Sequence, residues 1–150
     1  MKMKNSSWKK GSGKLGALRP LLGSWQANAE SPMGKVRCTL TFTQILNGKY
    51  VHLLARWEFG AKVYEEFAIY GVNNGKLSFW SFTSDGKKSE GVIANGDDVH
   101  PQAIAFEAEM PAGRARMIYW PNDDGSINWA VEAKNKKGWK RFTQHKYVSL

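Results

Sequence analysis

The chain has 150 residues and a mass of 16.9 kDa, the usual size of one domain. Hydrophobic residues at 42% and aromatics at 13% exclude a chain disordered throughout, and no apolar run approaches the ~20 residues of a membrane-spanning helix. One cysteine, Cys38, excludes an intramolecular disulfide and is too little for a thiolate metal site. The formal charge is +9. Lys2, Lys4, Lys9, Lys10, Lys14 and Arg19 carry most of that excess, with no acid before residue 20.

Residues 1–14 therefore read as a flexible basic tail, broken by Asn5-Ser6-Ser7 and Gly11-Ser12-Gly13. Such an arm solubilises or weakly seeks anions. Specific nucleic-acid binding needs a basic surface spread over the fold, so none is expected. No apolar h-region follows the first ten residues, so a cleaved secretory signal is not expected and a cytoplasmic protein is. Residues 15–150 form the domain. Leu15, Leu18, Leu21 and Leu22 suit a turn or two of helix over 15–22, which Pro20 keeps short.

Beyond it, turn signals recur at Asn47-Gly48, Asn73-Asn74-Gly75, Asp85-Gly86, Asn95-Gly96, Pro111-Ala112-Gly113, Asp124-Gly125 and Lys137-Gly138. Asn-Gly and Asp-Gly supply the positive φ of tight hairpins. The segments between them predict about ten strands: 23–30, 35–46, 49–59, 62–71, 76–83, 88–94, 102–110, 114–120, 126–133 and 138–148. No βαβ spacing exists, which excludes a parallel sheet. Leu77 and Phe79 oppose Trp80 and Phe82 on one strand, so both faces are apolar. A closed antiparallel barrel with some covered outer surface accounts for this better than a sandwich.

Leu22-Gly23-Ser24-Trp25 resembles the opening of a calycin, where Gly-x-Trp marks the first strand. The wider layout resembles bacterial lipocalin-like and fatty-acid-binding-like small β-barrel domains of unknown function, and more distantly nitrobindin. The matching pieces are Leu18 to Trp25, Gly48-Lys49-Tyr50-Val51, Ile69-Tyr70-Gly71-Val72, Trp80, and Lys140-Arg141-Phe142. The resemblance implies a structural lock of Gly23, Trp25 and Arg141, the arginine stacking on the tryptophan. It also implies a ligand in the barrel. In nitrobindin-like barrels a histidine near the C-terminus ligates haem, a place His145 would take. The Gly-rich stretch expected there is replaced by Gln26 to Pro32, which weighs against haem, so no cofactor is expected.

Strand alternation on 138–148 sets Lys140, Gln144 and Lys146 on the solvent face. Trp139, Arg141, Thr143, His145 and Tyr147 are then expected inward. Glu65 and Glu66 fall on opposite faces, so one points inward and should meet Arg56 or Arg116. The outside alternative is cross-strand pairing of these charges. The candidate ligand contacts are Arg56, Glu66, Tyr70, Trp80, Trp129, Arg141 and His145. His52 and His100 have no neighbour at ligand spacing, so no metal site is expected. No HExxH, P-loop or GxSxG is present. The leading expectation is a module for an apolar or amphipathic small molecule, an anion included. The competing one is an enzyme of the same fold using Glu66 with His145. A third uses the tail and the cluster Lys134, Lys136, Lys137 and Lys140 as an interaction surface. Oligomeric state stays open, a homodimer included.

Overall fold

The computed structural model describes residues 8–31 and 34–150. A 3-10 helix, Leu15–Leu21, precedes ten strands. These are β1 (Gly23–Ser31), β2 (Gly34–Ile45), β3 (Tyr50–Phe59), β4 (Lys62–Asn73), β5 (Lys76–Thr83), β6 (Lys88–Ala94), β7 (Ile104–Met110), β8 (Gly113–Pro121), β9 (Ile127–Asn135) and β10 (Gly138–Ser149). Every strand runs antiparallel to its sequence neighbours, and β1 meets β10 to close the barrel. The expected all-β closed barrel with a short N-terminal helix is the fold observed.

Local chemistry explains the elements. Asn47-Gly48 and Asn74-Gly75 all take positive φ, as tight hairpins between right-twisted strands require. A 3-10 helix repeats every three residues, so Leu15, Leu18 and Leu21 eclipse onto one ridge. Leu18 and Leu21 are fully buried. Pro20, inside the helix, has no N–H to extend it. The helix touches β3 and β4 and caps one end of the barrel. The opposite, open end carries the β1–β2, β3–β4, β5–β6, β7–β8 and β9–β10 turns.

Residues 1–7 of the expected tail lie outside the described residues. The rest of it docks: Trp8 is buried, and its indole N–H donates to the Gln102 carbonyl at 3.1 Å. The Gly11 N–H donates to the Gly16 carbonyl at 2.8 Å.

Two apolar clusters form. The larger fills the barrel and includes Phe42, Tyr70, Phe79, Phe106 and Tyr119, whose rings meet at 5.1 to 6.3 Å. The smaller lies outside, where Val99 and Ala103 of the β6–β7 loop cover Ala105, Ile118 and Ala130. The covered outer surface thus lies on β7, β8 and β9 and not on β5, where the outward Phe82 is exposed.

Candidate functional site

Strand partners in register share a face, so the ladder pairs define what the barrel holds. Near the open end, Ala108, Ala115 and Ala133 stand side by side on β7, β8 and β9. One layer deeper come Met117, Val131 and Thr143, then Tyr119, Trp129 and His145. The facing wall carries Trp57 beside Tyr64, and Ala55 beside Glu66. The three alanines, Met117, Val131, Thr143, Trp57 and Tyr64 are all half-buried, although they point inward. Solvent therefore enters this mouth. Beneath it, Tyr70, Tyr119 and Tyr147 are completely buried. The open half has one aromatic wall, one wall of small side chains and an aromatic floor, and Trp57 reaches across it to ring contacts with Trp129 at 5.7 Å and His145 at 5.5 Å.

Polar groups gather between mouth and floor. Glu66 accepts a hydrogen bond from the Ser81 hydroxyl. Burial raises its carboxyl above the ordinary value, against the opposing effect of that bond. Burial likewise raises the phenols of Tyr70, Tyr119 and Tyr147 and keeps them protonated. It pushes the Cys38 thiol up to about 11. The Tyr119 hydroxyl contacts Met117 Sδ at 3.8 Å. The Tyr70 hydroxyl makes no hydrogen bond of good geometry among the described residues.

Burial lowers the basicity of His145 and favours its neutral imidazole. Its ring lies 5.0 Å from Trp129, 5.5 Å from Trp57 and 5.9 Å from Tyr147. Nδ1 is 3.5 Å from the Tyr147 hydroxyl. Three rings thus crowd the imidazole. Among the described residues, no three His, Cys, Asp or Glu side chains cluster where they could hold a metal ion.

The candidates from sequence separate into two groups. Glu66, Tyr70, Trp129 and His145 point into the barrel. Arg56, Trp80 and Arg141 do not. Arg56 lies on the outer face and pairs with Glu65 at 3.4 Å and Glu58 at 3.5 Å. Trp80 sits in register with Ile69 and Glu90, also outside. Arg141 was expected inward with His145. A bulge between Arg141 and Thr143 breaks the alternation, so β10 changes face at that point. Thr143, His145 and Tyr147 face in, while Arg141 faces out.

Outside, Arg141 Nε donates to Glu132 at 2.9 Å, and its guanidinium lies over Trp120 at 5.0 Å. It therefore takes no part in a lock with Trp25. The Trp25 indole N–H donates instead to the Leu21 carbonyl at 2.8 Å and ties β1 to the 3-10 helix. Gly23, at φ +117°, allows the chain to turn between them. Glu66 meets Ser81 rather than Arg56 or Arg116. Arg116 is sequestered outside, held by Glu132 at 2.7 Å and Asp98 at 2.6 Å and stacked on Trp139 at 4.5 Å.

The sequence reading passed over Trp57 and Tyr119. For Trp57 the signal was present, because Val51, Leu53, Ala55, Trp57 and Phe59 form the uniformly apolar parity of β3. No protein-family model matches the chain, and no curated protein matches it.

Proposed function

We propose that this chain is a small-molecule binding module of the calycin type, with its ligand in the open half of the barrel. One observation carries the reading. The inward-facing row Ala108, Ala115 and Ala133 is half-buried above a closed aromatic floor. Small side chains on an inner face leave room, and their exposure means the room opens to solvent. An apolar or amphipathic body fits between this row and the wall of Trp57 and Tyr64. Glu66, Ser81 and His145 supply hydrogen bonds at its inner end. Binding sites of this kind are mostly apolar with a few convergent polar groups.

The test uses N-phenyl-1-naphthylamine, a neutral fluorophore that brightens in apolar surroundings. It should bind with quenching of Trp57 and Trp129 emission. Ala115→Trp fills the middle of the alanine row and should weaken binding at least about tenfold, since an overfilled site loses the ligand's whole volume. Unchanged binding by a folded Ala115→Trp protein would place the ligand elsewhere.

A further inference from the structure

The charges around the mouth and inside it have opposite signs. The groups of the slot that can carry charge are Glu66, which is acidic, and His145, which is held neutral. No strand arginine among the described residues points in: Arg56, Arg114, Arg116 and Arg141 bond to carboxylates on the outer face and Arg37 to Gln26, while Arg19 stands on the helix at the capped end. The rim is different. Lys140 pairs in register with Ala133 and so ends the alanine row on one wall. Lys62 pairs with Phe59 and ends the aromatic wall on the other. Lys136 and Lys137 stand on the β9–β10 turn, whereas Lys35 on β2 lies on the outer face in register with Glu30, and Lys134 on β9 lies on the outer face over Trp139 at 5.3 Å. All six are exposed, and none forms an ion pair among the described residues. The acids of the same end are partly consumed, Asp85 by Lys87 and Glu109 by Arg114.

From this arrangement we infer that the ligand is an amphiphilic anion that enters body first and leaves its charged group at the rim, between Lys62 and Lys140. This inference rests on the proposed binding slot and adds class and orientation to it. An anionic group at the inner end would meet the Glu66 carboxyl and no cation to offset its lost hydration. The same group at the rim stays partly hydrated and lies beside the unpaired ammonium groups of Lys62 and Lys140, with Lys136 and Lys137 on the adjacent turn. A flat apolar body then lies between the tryptophan wall and the alanine row. The lysine cluster of the β9–β10 turn, read from sequence as an interaction surface, becomes one side of this entrance.

The test compares two probes that share one body. Anilinonaphthalene-8-sulfonate is N-phenyl-1-naphthylamine with an added sulfonate. In low salt the sulfonate should bind the native protein at least about tenfold more tightly than its neutral partner, because the rim charges act within one Debye length. The double variant Lys62→Glu/Lys140→Glu should reduce that advantage to about threefold or less, as should 0.5 M salt. Lys49→Glu/Lys76→Glu makes the same change in net charge at the capped end and should leave the advantage intact. Equal binding of the two probes, or equal effects of both double variants, overturns the inference while leaving the slot in place. If neither probe binds, or if Ala115→Trp affects neither, the slot itself fails and the inference falls with it.

Discussion

Arg116 offers the sharpest test of how this barrel holds its outer surface. Its side chain is 1% exposed and Glu132 is 5% exposed, yet both are charged. Two ions removed from water stay folded only because each satisfies the other and Trp139 covers the guanidinium. Arg116→Ala leaves Glu132 buried with Arg141 alone, which is 36% exposed and holds one carboxylate oxygen. Breaking a buried pair from one side costs about 3–5 kcal/mol. Removing both ions together is different. Arg116→Met/Glu132→Leu leaves no buried charge and keeps the volume, so it should lie within about 1.5 kcal/mol of the native protein. Asp98 also bonds Arg116, at 3.0 and 2.6 Å, but it is 56% exposed. Water compensates for its loss, and Asp98→Asn should cost about 1 kcal/mol or less. Urea unfolding followed by far-ultraviolet circular dichroism measures all three, with the m-value checking that the transition stays two-state. Tryptophan emission is the poorer probe here, because Trp139 and Trp120 touch the substituted groups. A double variant as unstable as Arg116→Ala would refute the reasoning, since the cost would then come from lost packing rather than an orphaned charge.

Trp25→Ala should destabilise by about 3–5 kcal/mol, the cost of deleting a large buried aromatic. Trp25→Phe keeps most of the volume but orphans the Leu21 carbonyl, so about 1–2 kcal/mol is expected from thermal melts, and equal losses for the two would deny the indole bond its role. Glu66 has its folded-state pKa raised, so the folded protein holds the proton more tightly than the unfolded chain. Its contribution is whole below the unfolded value and is lost as pH rises through the folded one. Glu66→Gln should therefore gain on the native protein in melting temperature as pH rises above the ordinary carboxylate range, and parallel curves would contradict this.

The barrel was legible because turn chemistry and alternation are local. Asn-Gly pairs and strand-length apolar runs mark ten hairpin-linked strands without any knowledge of their neighbours. The site was legible only where alternation ran unbroken. Glu66 and Tyr70 share the parity of buried Ala68 on β4, and Trp129 shares that of Ile127 on β9. Arg141 was misplaced because one inserted residue at the bulge reverses every face before it. Nothing local announces that residue: Phe142, beside the break, is an ordinary strand former. Trp80 was misplaced for another reason. On β5 both parities carry large aromatics, and only the ladder shows that Leu77, Phe79 and Ser81 take the inside. The docking of Trp8 depends on the Gln102 carbonyl 94 residues away and is invisible to any local pattern.

The closure of the barrel bears on access to the slot. β1 and β10 pair at Trp25↔Ser149 and Gln26↔Val148, both toward the capped end, with a further bond from the Leu150 N–H to the Ser24 carbonyl. Beyond Gln26, the described ladder of β1 runs to β2 alone, and before Val148 that of β10 runs to β9 alone. The seam is thus zipped at the helix and unzipped toward the mouth, along the stretch of β10 that holds Thr143 and His145. The bulge lies on this same stretch and bends the strand where it has lost one neighbour. An edge left open in this way invites pairing with another chain unless it is irregular or charged. The bulge and Lys146, which alternates with the inward His145 and Tyr147, meet that need. The bulge that turns Arg141 to the outer surface therefore lies on the part of β10 whose described ladder runs to β9 alone, beside the inward imidazole of His145.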